Sequence, residues 1–139
     1  YMENETSFKY SRAKDYPEVA KKAVDAMVNK TGKCQFDENG IMKRGVIVRH
    51  LLLPGHVNEA KAVVKYLFGK YGDTIFISLM NQYTPVSTLA DYPELNRKVT
   101  KREYNRLIDY ALELGVKNAF IQEGDTAKES FIPPFSEAF

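Results

Sequence analysis

The most constraining feature of the chain is an apolar segment at residues 45–55, which reads GVIVRHLLLPG and closes on a Pro-Gly pair. β-Branched residues and leucines occupy neighbouring positions, so a strand formed here is apolar on both faces except at its middle. Strands of that kind occur in parallel sheets that helices cover on both sides. The segment therefore predicts an α/β fold built on a parallel sheet.

Periodic segments on either side complete this prediction. Three segments have apolar residues at helical spacing and end at a glycine: residues 15–32, 57–72 and 100–115. Short apolar runs predict further strands at residues 74–80 and 118–122, and the turn chemistry of residues 37–40 predicts a small β-hairpin. The order indicates one unit over residues 1–139. That unit is either about half of a β/α barrel or a three-strand piece of an open parallel sheet.

Composition and charge exclude several function classes. The chain has twenty Lys and Arg residues and eighteen Asp and Glu residues, and positive and negative charges are interspersed along it. No basic surface for nucleic acid or anionic lipid is therefore expected. No apolar run is long enough to span a bilayer, and the first residues lack the pattern of a signal peptide. We therefore expect a cytoplasmic protein that binds neither nucleic acid nor membrane.

The residues that most often carry chemistry are scarce. Cys34 is the single cysteine, and the two histidines have no metal-ligand spacing, so we expect no metal site in this chain. No nucleophile has an obvious base beside it, so we name no catalytic residue. Because Tyr1 precedes Met2, we also expect the chain to be a fragment of a longer protein.

Arg49 and His50 interrupt the most apolar strand. Adjacent strand residues point to opposite faces, so at least one of the two is expected among aliphatic side chains. Arg49 could bind a carboxylate or phosphate of a ligand, or it could form a structural ion pair with a core carboxylate. For His50 we favour a neutral imidazole that is hydrogen-bonded against a neighbouring helix.

Polar side chains collect where the second parallel strand ends. Ser78, Asn81, Gln82 and Tyr83 could bind the edge of a small polar ligand, and they could equally cap the strand and steady the loop at residues 81–99. In either barrel or open sheet, ligands bind at the carboxyl ends of the strands. Residues 131–135, which read FIPPF, are interpreted as a C-terminal strap.

Four segments carry a resemblance to a known family: residues 45–55, 77–85, 92–97 and 120–123. In order and spacing they resemble the C-terminal half of radical SAM proteins grouped with pyruvate formate-lyase activating enzyme. The resemblance implies the C-terminal half of a partial (β/α)6 barrel, with about three parallel strands, three helices and a small hairpin. It also implies that the half with the three-cysteine loop is missing.

The resemblance further implies an activity and a ligand. In this family a [4Fe-4S] cluster and S-adenosylmethionine generate a 5′-deoxyadenosyl radical, which abstracts hydrogen from a protein or peptide partner. Arg49 would lie near the methionine moiety, and the turn at residues 80–83 would lie beside the adenine. Tyr83 replaces the histidine that the activating enzyme has at about this position.

Two interpretations follow from these expectations. In the first, the parent protein is a radical SAM enzyme, its cluster ligands are absent from this chain, and the segment alone is inactive. In the second, the chain is a non-catalytic α/β module that binds through its strand-end rim or its exposed sheet edges. Under either interpretation the open edges of a three-stranded sheet could pair with a second copy.

Overall fold

A computed structural model describes residues 1–122 of the chain. Four α-helices lie in this range: α1 (Asn4–Ser11), α2 (Tyr16–Thr31), α3 (Val57–Tyr71) and α4 (Lys101–Glu113). The strands of the same range are β1 (Gln35–Phe36), β2 (Met42–Arg44), β3 (Ile47–Leu51), β4 (Phe76–Met80) and β5 (Ala119–Ile121). Single turns of 3₁₀ helix lie at Gly72–Thr74 and Pro93–Leu95. The predicted α/β class is confirmed.

The strands form two separate sheets. β1 and β2 pair antiparallel, which confirms the predicted hairpin. β3, β4 and β5 form a parallel sheet in that order. Arg49 lies directly opposite Ser78 in this sheet, and Leu51 lies opposite Met80. Since α3 connects β3 to β4 and α4 connects β4 to β5, all three strands end at the same edge.

One face of the parallel sheet packs against α3 and α4. The largest fully buried side chains of this core are Leu52, Ile75, Ile77, Leu79, Leu107 and Val64. Removing such an aliphatic side chain from water contributes roughly 1.5–3 kcal/mol. The helical spacing of Ala60, Val64 and Leu67 places the apolar stripe of α3 on this core.

The opposite face of the sheet is open to solvent across the described residues. Alternate side chains point to it, and they include Ile47, Arg49, Phe76 and Phe120. Ile47 is 42% exposed and Phe120 is 46% exposed. The prediction that the strand at residues 45–55 is buried on both faces is therefore wrong for this part of the chain.

The predicted architecture also needs correction. The C-terminal half of a partial (β/α)6 barrel with three helices is wrong, because the described residues form an open three-stranded parallel sheet, a separate two-stranded sheet and four helices. Within residues 1–122 neither β3 nor β5 pairs with a further strand, and closure into a barrel requires such pairing. Sequence patterns do not predict α1, since it has only a weak apolar stripe and no side-chain N-cap.

The other elements agree with their signals. The predicted helices correspond to α2, α3 and α4, and the capping box in front of α4 is present, because Thr100 and Glu103 each accept from the other's backbone N–H. The single unit over residues 1–139 stays a prediction. The strap at residues 131–135 lies outside the described residues.

Gly45 allows the hairpin to pack closely against the parallel sheet. Its φ is +134°, and a Cβ at this position would lie 2.5 Å from the Cys34 Sγ and 2.8 Å from the Cys34 Cα. Cys34 is half-buried, and its thiol donates weakly to the carbonyls of Val46 at 3.6 Å and Thr74 at 3.4 Å. Both the backbone angle and the contact therefore require glycine.

Gly45→Ala is expected to lower the free energy of unfolding by about 1–3 kcal/mol, because it combines backbone strain with overpacking against Cys34. Urea unfolding followed by circular dichroism measures the change. Gly69→Ala is the matched control, since Gly69 lies within α3 and has open space around it, and it should raise stability by up to about 1 kcal/mol. Equal stability of Gly45→Ala and the parent chain would contradict the close approach of Cys34.

Candidate functional site

The candidate site lies at the carboxyl edge of the parallel sheet, where ligands bind in open α/β folds. β3, β4 and β5 end there at Leu51, Met80 and Ile121. The backbone beyond β3 turns at Pro54 and Gly55 into α3, and the backbone beyond β4 enters the loop at residues 81–99. This edge therefore carries most of the polar residues that the sequence singled out.

Arg49 is the charged group of the open face. Its Nη2 donates to the Met80 Sδ at 2.9 Å, and within residues 1–122 no carboxylate lies within ion-pair distance of it. A thioether is a weak acceptor, so this contact leaves most of the hydrogen-bonding capacity of the guanidinium unused. The structural ion pair that we considered for Arg49 is not found in the described part of the chain.

His50 points to the other face of β3 and is the more buried of the two residues. Burial lowers its pKa to about 4, so the imidazole is neutral at pH 7. The neutral state agrees with our prediction, but none of the described residues forms a hydrogen bond with its ring. His50 lines a cavity of about 240 Å³ beside the free edge of β3, together with His56, Glu59 and Tyr16.

A hydrogen-bonded network joins the ends of β4 and β5 to α4. The Tyr104 hydroxyl donates to the Leu79 carbonyl at 2.8 Å and accepts from the Gln122 backbone N–H at 2.8 Å. The Gln122 side chain in turn accepts from the Asn81 backbone N–H at 2.8 Å and donates to the Gln82 Oε1 at 2.7 Å. Asn81 and Gln82 are thus held in fixed positions at the edge of the sheet.

Tyr83 faces the long loop. Its hydroxyl donates to the Leu95 carbonyl at 2.9 Å, and burial raises its pKa above the ordinary value. Leu95 is itself buried, so this bond attaches the beginning of the loop at residues 81–99 to its later part. The contact agrees with our alternative interpretation, in which these residues cap the strand and steady the loop.

The five predicted contact residues therefore fall into three groups. Arg49 and Ser78 lie side by side on the open face, where the half-buried Ser78 hydroxyl has no hydrogen-bond partner among residues 1–122. Asn81 and Gln82 belong to the edge network. Tyr83 belongs to the loop. The structure brings the first two groups to one edge, and the ligand-binding role of all five stays a prediction.

Glu103 fixes the turn that follows β3. Its Oε1 accepts from the Gly55 backbone N–H and from the Arg97 Nη2, both at 2.8 Å, and its Oε2 accepts from Arg97 Nη1 at 2.9 Å and from the Thr100 backbone N–H at 2.8 Å. The hydrogen bond from Arg97 holds the pKa of this carboxyl well below its usual range. Glu103 thereby joins the turn at Gly55, the long loop and the start of α4.

Two residues of this edge escaped the sequence analysis. Tyr104 falls in the helical segment predicted at residues 100–115, yet it is 4% exposed, and a tyrosine that is buried needs a partner for its hydroxyl. Met80 ends the strand predicted at residues 74–80, and no sequence signal identifies a thioether as the contact of Arg49. The need of Tyr104 for a hydrogen-bond partner follows from the chemistry of a buried hydroxyl. The contact between Arg49 and Met80 depends on strand register.

Comparisons with known proteins give a match to part of the chain. An uncharacterised protein of Methanocaldococcus jannaschii is 35% identical over 72 residues, which are 52% of this chain and 20% of that protein. This chain thus covers about a fifth of that relative, whose name assigns no activity. No family model matches the chain. No solved structure matches it.

Two further findings concern residues 1–122. No helix there is long and apolar enough to cross a bilayer. No group of three or more His, Cys, Asp or Glu side chains there is arranged to hold a metal ion.

Tyr104→Phe should destabilise the fold by about 1–3 kcal/mol, because it leaves the Leu79 carbonyl and the Gln122 N–H without their shared partner. Hydrogen exchange followed by NMR would show faster exchange at the Gln122 amide, beyond the global loss of stability. Tyr110→Phe is the control, since Tyr110 is a half-buried tyrosine of the same helix whose hydroxyl has no hydrogen-bond partner among residues 1–122. Unchanged exchange at Gln122 would contradict the network.

Glu103→Gln should make the free energy of unfolding depend less on pH in the acidic range. The folded-state pKa of Glu103 lies below the unfolded value of about 4.3, so its ionised form stabilises the fold at neutral pH and that stabilisation is lost as pH falls below about 5. Urea unfolding between pH 3 and 7 should show a difference of roughly 1–3 kcal/mol at pH 7 that shrinks toward pH 3. The exposed Glu18→Gln should change the curve little, and a constant difference across pH would contradict the assignment.

Proposed function

We propose that the chain is the C-terminal part of a radical SAM iron-sulfur enzyme similar to pyruvate formate-lyase activating enzyme, and that its sheet edge contributes to the S-adenosylmethionine site. The observation that carries the proposal is Arg49. It is a guanidinium without a carboxylate partner in the described residues, it lies on β3 two residues before the carboxyl end of that strand, and it adjoins the half-buried Ser78.

The groups at this edge fit the chemistry of S-adenosylmethionine. The planar fork of Arg49 matches the carboxylate of the methionine moiety, and the Ser78 hydroxyl beside it can donate or accept. The Gln82 carboxamide retains donor capacity beyond its bond to Gln122, which suits the hydrogen-bonding edge of adenine. Asn81 and Tyr83 complete the proposed contacts at the turn after β4.

The iron-sulfur cluster does not fit this chain. Cys34 is the single cysteine of the sequence, and its thiol is directed at backbone carbonyls below the hairpin. A [4Fe-4S] cluster requires several thiolates, so in this proposal another part of a longer protein holds it. The 139-residue chain by itself is then inactive.

The same proposal includes the reaction of the complete enzyme. In the complete enzyme, S-adenosylmethionine would supply the means to abstract hydrogen from a protein or peptide substrate. A cytoplasmic location belongs to this proposal as well. The residues of this chain would bind and orient the cofactor.

The alternative proposal, a non-catalytic α/β binding module, is favoured by one observation. Tyr83 is committed to the loop, and Asn81 and Gln82 are partly committed to the edge network, so the rim has structural roles of its own. Such a module would bind its ligand through Arg49 and Ser78 alone, or bind another chain through the edges of the sheet. The coding sequence upstream of Tyr1 separates the two proposals, because only the enzyme requires a Cys-x-x-x-Cys-x-x-Cys motif there.

Arg49→Ala in the natural gene product should weaken S-adenosylmethionine binding about tenfold or more, because a charge-assisted bidentate contact contributes roughly 1.5–3 kcal/mol. Calorimetry on anaerobically reconstituted protein measures the affinity. Arg106→Ala is the matched control, since Arg106 is an exposed arginine of α4 that should leave the affinity unchanged. Equal affinity of Arg49→Ala and the natural protein would refute the assigned role.

A further inference from the structure

The open face of the parallel sheet carries aromatic and polar side chains next to each other. Three aromatic rings form a row, in which Phe36 of the hairpin and Phe76 meet edge to face at 5.3 Å and Phe76 and Phe120 stack at 5.2 Å. Arg49, Ser78 and Phe120 lie opposite one another on β3, β4 and β5. An apolar floor thus lies next to a cation that has no ion-pair partner within residues 1–122.

The floor is accessible as well as apolar. Phe36 is 44% exposed, Ile47 is 42% exposed and Phe120 is 46% exposed. Clustered exposure of this kind marks a site of interaction more often than scattered single residues do.

The size of the face decides what kind of occupant it suits. β3 and β4 have five residues each and β5 has three, so the three strands present at most roughly 14 Å by 17 Å, or about 240 Å², since neighbouring strands are about 4.8 Å apart and each residue rises about 3.3 Å. A stable protein–protein interface buries about 800 Å² on each partner. The face is therefore too small for a second copy or a folded partner, and its size suits a small molecule.

The charge of the face decides the chemistry of the occupant. Arg49 follows Ile47 by two residues on β3, and Ile47 lies opposite Phe76, so Arg49 and Phe76 are diagonal neighbours whose Cα atoms are roughly 8 Å apart. Within residues 1–122 the polar contact of the guanidinium is the sulfur of Met80, a weak acceptor that an anion would readily replace.

We propose that the open face binds a small amphipathic anion, a flat aromatic or apolar group that carries a carboxylate. The ring lies on Phe76 and Phe120, and the carboxylate pairs with Arg49 and accepts from Ser78. The proposal shares Arg49 and Ser78 with the proposed S-adenosylmethionine site but needs neither that cofactor nor a cluster, so either proposal can fail without the other.

The test compares two probes of the same shape on the 139-residue chain. 3-Phenylpropionate carries the required carboxylate, and 3-phenylpropan-1-ol replaces it with a neutral hydroxyl. NMR titration of the backbone amides should show saturable shifts at Arg49, Ser78 and Phe120 with the carboxylate, and about tenfold weaker binding of the alcohol.

Variants test the cation and the aromatic floor separately. Arg49→Gln should weaken 3-phenylpropionate about tenfold and leave the alcohol unchanged, whereas Phe120→Ser should weaken both probes. Arg106→Gln should change neither. Equal affinity for the two probes, or shifts confined to other surfaces, would overturn the proposal. So would a concentration-dependent dimer, seen by light scattering, that Phe120→Ser abolishes, because a second copy would then occupy the face.

Discussion

The structure depends on one contact above the others, the burial of one face of the parallel sheet under α3 and α4. Leu52, Ile77 and Leu79 from the sheet meet Val64 and Leu107 from the helices in a single core. That layer aligns β3, β4 and β5 with a common carboxyl edge, so the polar residues that follow each strand come together there. Since the two helices lie on one face, the alternate side chains of the same strands are left on an open surface.

Some polar side chains at the carboxyl edge form hydrogen bonds with backbone groups and so stabilise the fold. Arg49 is of a different kind. Tyr104, Gln122 and Glu103 satisfy backbone groups of β4, β5 and the Gly55 turn, so losing any of them leaves a polar atom without its partner. Arg49 satisfies no backbone group and has no ion-pair partner among the described residues. The guanidinium of Arg49 can therefore bind a ligand without breaking a structural hydrogen bond.

Sequence patterns predicted most elements but not how the sheet is covered. Helical spacing and the Thr100–Glu103 capping box located α3 and α4 well, because those signals are local. The apolar run at residues 45–55 indicated a strand with apolar side chains on both faces, but local pattern cannot tell which segment covers each face. Closure into a barrel likewise depends on strands that pair over long distances, and for that reason the family resemblance led to a wrong architecture. The partners of Arg49 and Tyr104 depend on register, which the sequence does not display.

The open face and the edge network are consistent with a site that is ordered before a ligand binds. Hydrogen bonds fix the turn after β4 and the turn after β3, so the edge is rigid before any ligand arrives and binding costs little ordering of the backbone. Arg49 rests on a weak sulfur acceptor and can exchange it for an anion without breaking a structural bond. The aromatic floor next to it supplies apolar contact area that a carboxylate alone would lack. In the proposal above, a rigid edge, a cation without an ion-pair partner in residues 1–122 and an apolar floor together favour selective binding of a small anion over nonspecific adhesion.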